Sequence, residues 1–452
     1  MKTGATPLPR RRSAGFARAC LVALLVARGV APAGAAESAP VVPTQADEIV
    51  EHLPTHFGDA AQRRAARAAE RQQRAELQRH PDELGLAVQT AEAAIARARV
   101  QGDPRELGSA QAALAPWWGL DAPPPAVRLL RATVRQSQHD FDSARADLDA
   151  LLVEAPDAPP VPLALRAQAL LTRAAIGQVR GRYADVLRDC RRLAGPEFAG
   201  LGAAIRLSAQ ACLAEIASLQ GHADAAAATL ARLAGDDVER TLARPATDEV
   251  DRTLARPAGD AAFPDTTPAW LSLMRAELAA RRGDPQAGAL FARALRAQPE
   301  VYTLCAYADW LLDQHRAAEV VTLLRGHEAA DPALLRLALA WRQLHGRQHP
   351  LTVQASAMLA ERYDAALLRG DRSHGREQAR HALELRGRPR EALALAQRNW
   401  AVQREPADAL VLVRCALAAQ RPDAAEPVWQ FLRDNGGQDV RLGAIPAGGD
   451  KS

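Results

Sequence analysis

His345 and His349 stand four residues apart, a spacing that on a helix would put two imidazoles on one face, as a zinc pair requires. Gly346 lies between them and Pro350 follows, so the segment reads as a turn, and no third ligand is in view. Asp140 and Asp142 flank Phe141. Two carboxylates this close could act as acid and base only in a desolvated cleft. At a helix start they cap backbone amides and complement the dipole, and the surrounding pattern favours that reading. His315 and His327 fall in or beside turns and read as solvated. The chain carries no HExxH, GxSxG, GxGxxG or Walker-type phosphate loop. Catalytic residues, a metal and a cofactor are therefore not expected, and neither is an enzyme. Trp117-Trp118, ahead of the proline-rich loop from Asp121 to Pro125, could anchor a partner; the simpler reading is that they plug one packing unit against the next. Trp310, Trp341 and Trp400 lie on apolar helical stretches and are expected in the core.

The N-terminus has the three parts of a secretory signal. Arg10, Arg11, Arg12 and Arg18 form a basic region, Ala19 to Ala27 give nine apolar residues, and Ala33-Gly34-Ala35 offers a small-x-small cleavage site. The apolar run is too short for a lasting membrane anchor. An exported, periplasmic protein without a stable span is expected; a cytoplasmic chain with a misassigned start is the other possibility. The formal charge is +4, but six bases and no acids lie in residues 1–35, so the rest holds 51 bases against 53 acids. Nucleic-acid binding loses its main electrostatic support. Of the cysteines beyond the signal, Cys190, Cys212, Cys305 and Cys415, none forms a CxxC. In an oxidising compartment a Cys190–Cys212 disulfide is the best-placed pairing, against the alternative that all four are buried thiols.

The elements that would position any site are helices. Hydrophobic residues make up 48% of the 452 residues and aromatics 4%, with alanine, leucine and arginine dominant, a helix-forming composition. Apolar stretches come in pairs, separated by turns at Gly102, His139, Gly181, Gly221, Gly283, His315, Gly346, Gly387 and Arg421. Successive steps are 37, 42, 40, 62, 32, 31, 41 and 34 residues. A step in the thirties to low forties means stacked helical hairpins. The long step contains Val238–Ala246 nearly repeated as Val250–Ala258, a 12-residue tandem duplication; without both copies the step is 38. Small residues give a sharper pattern, because two helices cross closely only where side chains are small. Ala132 and Ala144, Ala174 and Val186, Ala214 and Ala226, and Ala308 and Val320 are each 12 apart, while Ala276 and Ala287 are 11 apart. Prolines at 156, 299, 332 and 406 stand where second helices should end.

This pattern resembles the tetratricopeptide repeat, a 34-residue helix-turn-helix, in which a large apolar residue follows the second small position by four. Leu148, Cys190, Leu230, Phe291 and Leu324 stand there. The resemblance covers roughly 81–436, with regular repeats at 126–156, 167–197, 207–235, 268–300 and 301–334 and degenerate ones near 81–116, 335–370 and 373–436. Arg380 occupies a place that wants a small residue. Segments such as Ala115–Trp118 and Asn399–Pro406 are similar to exported bacterial members of the family. The resemblance implies an all-α, right-handed α-solenoid of stacked helix-turn-helix repeats, about eight to ten hairpins, whose first helices line a concave groove. It carries the groove-facing positions onto Thr133, Gln136, Gln168, Ser208, Glu215, Ser218, Tyr302 and Asp309, polar residues with no evident basic clamp for a terminal carboxylate. The expected organisation is a signal at 1–35, a linker and charged helix at 36–80, repeats at 81–236, a flexible duplicated insertion at 237–265, repeats at 266–436 and a disordered tail at 437–452. The function this implies is a non-catalytic periplasmic scaffold or adaptor for a protein or extended peptide. The alternative is an accessory protein or enzyme of envelope carbohydrate or lipid processing with a site in the groove, which clustered carboxylates or a His-acid pair at depth would favour.

Overall fold

The structure, a computed structural model, describes residues 60–153, 160–237, 267–371 and 374–443. The expected signal, the linker before 60, Pro156, the duplicated insertion from 238 onward and the last nine residues of the tail lie outside them. The described chain is all-α. A charged helix, α1 (Ala60–Arg79), leads into nine hairpins: α2 (Leu84–Gln101) with α3 (Arg105–Ala113), α5 (Pro125–Ser137) with α6 (Phe141–Leu152), α7 (Leu163–Val179) with α8 (Tyr183–Leu193), α9 (Ala203–Leu219) with α10 (Ala223–Arg232), α11 (Thr267–Arg282) with α12 (Ala287–Ala297), α13 (Val301–Asp313) with α14 (Ala317–Leu324), α15 (Asp331–His345) with α16 (Pro350–Leu368), α17 (Gly375–Arg380) with α18 (Pro389–Val402), and α19 (Pro406–Ala418) with α20 (Glu426–Asn435). The single turn α4 (Ala115–Trp118) follows the first hairpin and α21 (Val440–Gly443) the last. Among the described residues no helix is long and apolar enough to cross a membrane.

The small-residue pairs are the helix crossings. Ala132 and Ala144, Ala276 and Ala287, and Ala308 and Val320 are wholly buried, and Ala174, Val186, Ala214 and Ala226 keep 5% exposure or less. Leu148, Cys190, Leu230, Phe291 and Leu324 are buried beneath them, the leucines and the phenylalanine each contributing roughly 1.5–3 kcal/mol. Each hairpin turn carries one residue at positive φ, from Gly102 at 66° through His139 at 61°, His315 at 57° and Gln420 at 57°. That left-handed residue ends one helix and releases the chain to start the next. Pro332 and Pro406 occupy the first turns of α15 and α19, where a missing N–H costs nothing; they start the next hairpin as much as they end the previous one.

A regularity absent from the small-residue pattern recurs inside two hairpins. Arg131 on α5 forks onto Asp147 on α6, with Nε 2.9 Å from Oδ2, and Arg173 on α7 forks onto Asp189 on α8 at 2.8 Å. Both pairs span 16 residues. Bidentate arginine–carboxylate geometry fixes the register of the two helices. Cys190 on α8 and Cys212 on α9 are joined in a disulfide, with Cα atoms 6.2 Å apart, tying the third hairpin to the fourth. Cys305 and Cys415 are buried free thiols.

The superhelix winds until its turn edge meets its own C-terminal half. The Arg404 N–H donates to the Val179 carbonyl at 2.7 Å, and Gln403 Nε2 lies 3.0 Å from His139 Nδ1. Val301 and Ala330 pack on Gly102, Phe431 on Gly181, the Gly436 carbonyl on Gly221 and Val440 on Gly283. Five consecutive hairpin turns thus run along the second half of the chain. Of the tail expected to be disordered from 437, the described part is instead packed: α21 forms and Leu442 is buried.

Candidate functional site

The winding forms a half-open cavity of about 490 Å³ lined by residues from the first helix of every hairpin, among them Arg99 of α2, Gln178 of α7, Glu215 of α9, Tyr302 of α13 and Arg414 of α19. Its volume lies within the range of small-ligand pockets. The walls are mixed: Phe291, Trp310 and Val301 beside arginines and carboxylates in near balance.

At one end Asp309 is the hub. Arg336 Nη2 donates to Asp309 Oδ2 at 2.7 Å, and Arg380 Nη1 to Asp309 Oδ1 at 2.7 Å. Burial would raise the Asp309 carboxyl, but the two guanidinium groups hold it well below the usual carboxylate range. Glu377 behaves the same way: burial opposes ionisation, and Arg376, Arg336 and His374 overcome it, leaving a pKa of about 2. Arg376 reaches Glu405 at 3.1 Å and Asp408 at 3.4 Å, while Asp408 closes the α19 capping box on the Glu405 N–H at 2.9 Å. These arginines all have acidic partners.

The other end is different. Tyr302 Oη donates to Glu277 Oε1 at 2.9 Å. Arg281 is 3.5 Å from Glu215 and gives a shorter bond, 2.6 Å, to Ser218 Oγ. Burial, reinforced by the neighbouring Glu215, pushes the Glu277 carboxyl up to about 7, the hydrogen bond from Tyr302 and the charge of Arg281 only partly opposing it. Burial raises Glu215 as well. Tyr302 is raised well above its usual range, first by the Glu277 charge and then by burial.

Of the eight groove positions, Glu215, Tyr302 and Asp309 line this cavity. Ser218 is buried behind it as a partner of Arg281. Thr133 and Ser208 give their hydroxyls to carbonyls one turn back, on Leu129 and Ala204. Gln168 pairs along its own helix with Thr172, and Gln136, also half-buried, is outside the cavity lining. The cavity arginines Arg336, Arg376 and Arg380 were not singled out from the sequence as groove residues, because they lie in the repeats where the pattern is degenerate. Arg380 was the signal available: the side chain that breaks the small-residue rule is the one that reaches Asp309, and a π turn, His381–Leu385, follows it. Such turns recur at functional sites. Trp400 is buried as expected, whereas Trp310 and Trp341 are half-buried at core edges and Trp310 faces the cavity. Trp117 and Trp118 pack on the first hairpin's core, Trp118 beneath the Arg135 guanidinium. His345 and His349 stack across the Gly346 turn, their centroids 4.5 Å apart.

Fold and interior together define a tetratricopeptide-like array of helical hairpins wound around a charged cavity. Among solved structures, the crystal structure of the APC/C hetero-tetramer Cut9-Hcn1 is similar at 14% identity and a TM-score of 0.34, over 73% of this chain and 71% of that one. A likeness at that level bears on neither partner nor activity. No protein-family model and no curated protein matches the chain.

Proposed function

We propose that this chain is an exported, non-catalytic scaffold that holds a segment of a protein or extended peptide against the first helices of its hairpins. The observation that carries the reading is the convergence of all nine first helices on one cavity with both polar and apolar walls. Repeat arrays make extended inner surfaces because each hairpin buries only its stacking faces. The basic and apolar runs before Ala35 support export, and the Cys190–Cys212 bridge supports an oxidising compartment such as the periplasm. The near-balanced charge beyond residue 35 favours a protein over a nucleic acid. The test is site-specific photo-crosslinking in periplasm. A crosslinker at Tyr302 is expected to give a discrete adduct that the same group at exposed Arg188 does not, and equal background at both positions would sink the reading. N-terminal sequencing of the secreted chain is expected to begin just past Ala35.

One observation favours a second reading, an envelope-processing accessory or enzyme. Glu277, Glu215 and Glu405 cluster at depth, and a carboxyl with a pKa of about 7 suits general acid–base work. Turnover of an envelope glycan or lipid fraction that Glu277→Gln abolishes would establish it.

A further inference from the structure

The two ends of the cavity differ in charge balance. At the Asp309 end each guanidinium faces carboxylates it already contacts. At the Glu277 end two carboxyls, Glu215 and Glu277, share one arginine, Arg281, which also binds Ser218. Glu215 is 5% exposed, and its Oε2 is buried without a hydrogen-bond partner. Glu277 receives only the Tyr302 hydroxyl and, among the described residues, has no cation within salt-bridge reach. Glu405 is committed to Arg376. Beside these carboxyls the Tyr302 ring, 54% exposed, stands on the cavity wall.

We propose that the Glu277–Glu215–Tyr302 end of the cavity is a recognition site for an alkylammonium group, carried either by a lysine side chain of a bound segment or by a free diamine. The proposal rests on the interior being the binding face and specifies what that face recognises. The ammonium supplies the missing positive charge through charge-assisted bonds to these carboxyls, of which Glu215 is 5% exposed, and its methylene stem lies along the Tyr302 ring. Without an amine, Glu277 is largely protonated only below about pH 7, so in that range binding releases a proton, and binding strengthens as pH rises through about 7. The groups that face Glu277 and set this are Tyr302, Glu215, Arg281, Glu405 and Arg441.

Titration calorimetry on the mature chain tests it, with an acetylated Gly-Lys-Gly amide, its norleucine counterpart and 1,5-diaminopentane as probes. The expected result is saturable binding of an amine probe at pH 8, none of the norleucine peptide, weaker binding at pH 6 and heats that vary with buffer ionisation. Glu277→Gln should weaken binding by about ten- to a hundredfold, while Arg188→Ala on the outer surface leaves it unchanged. Tyr302→Phe, which keeps both carboxyls, should weaken it less. Binding of the peptide but not the diamine assigns the site to a lysine of a chain, and binding of both shows that the amine suffices. If neither amine binds while the Tyr302 crosslinker still captures a partner, the ammonium site is wrong and the scaffold reading survives. If the diamine binds and no partner is captured, the site stands and the scaffold reading falls.

Discussion

Asp309 shows how much one residue of this interior carries. Its carboxylate bridges Arg336, 6% exposed, and Arg380, 11% exposed, across three hairpins. Asp309→Asn would take from both guanidinium groups their shortest carboxylate contact, leaving, among the described residues, Arg336 only Glu377 at 3.5 Å and Arg380 only Glu384 at 3.2 Å. The expected cost is about 3 kcal/mol, the low end for breaking a buried ion pair, since 31% of the Asp309 side chain faces the cavity; urea unfolding at pH 7 measures it. Because the folded-state pKa of Asp309 lies below its unfolded value, this stabilisation is present above the ordinary carboxylate range and is lost as pH falls through and below it. The gap between wild type and variant should therefore close in acid. Glu277 has the opposite sign. Its folded pKa of about 7 exceeds the ordinary 4.5 of a free glutamate, so its contribution declines as pH rises from about 4.5 to about 7. Glu277→Gln should raise Tm at pH 8 and change it little at pH 4, read by circular dichroism; an equal shift at both pH values would contradict the assigned burial.

At the scale of the helix, the crossings and the covalent tie set stability. Ala308 on α13 is wholly buried against Val320 on α14. Ala308→Leu must push the two helices apart, an overpacking cost of about 1–3 kcal/mol, with loss of Tm as the measurement. The Cys190–Cys212 bridge closes a separation of 22 residues between α8 and α9. Its removal in Cys190→Ser/Cys212→Ser is expected to cost about 3 kcal/mol by the loop-entropy relation. A reducing agent should reproduce that loss in the wild type and have no effect on the variant. The 16-residue arginine–aspartate forks were legible in the sequence once the small residues had set the phase: each arginine immediately precedes the first small residue, and each aspartate follows the second by three. In the fourth hairpin the equivalent places hold Leu213 and Thr229, so a search for one recurring motif passes the forks over.

At the scale of the whole molecule, the winding turns a row of hairpins into one shared, half-open interior. Gly221 sits at φ 86°, and a Cβ there would stand 2.6 Å from the Gly436 carbonyl oxygen. Gly221→Ala therefore combines backbone strain of about 1–3 kcal/mol with a clash that neither backbone can relieve without parting. The expected outcome is unchanged helical content, a larger radius of gyration by small-angle scattering and faster proteolysis after Asn435. An unchanged radius would mean that the C-terminal hairpin does not depend on this contact.

Composition and local spacing were enough to determine the helices, their pairing, the turns and the crossings, because each depends on residues within about one repeat of one another. The buried Ala and Val pairs bear this out, and so do the left-handed turns, though in the last one the left-handed residue is Gln420, one before the expected Arg421. The cavity was decided only by the tertiary structure. It needs Gly181 to meet Phe431, Gly221 to meet Gly436 and Arg380 to meet Asp309, contacts between residues far apart in the chain, and small angles between successive hairpins accumulate into that closure without a local sequence signature. The same reason divided the eight groove positions. Local phase put them on first helices, but only the winding of the array selected Glu215, Tyr302 and Asp309 to face the void and brought the arginines of the degenerate repeats to meet them.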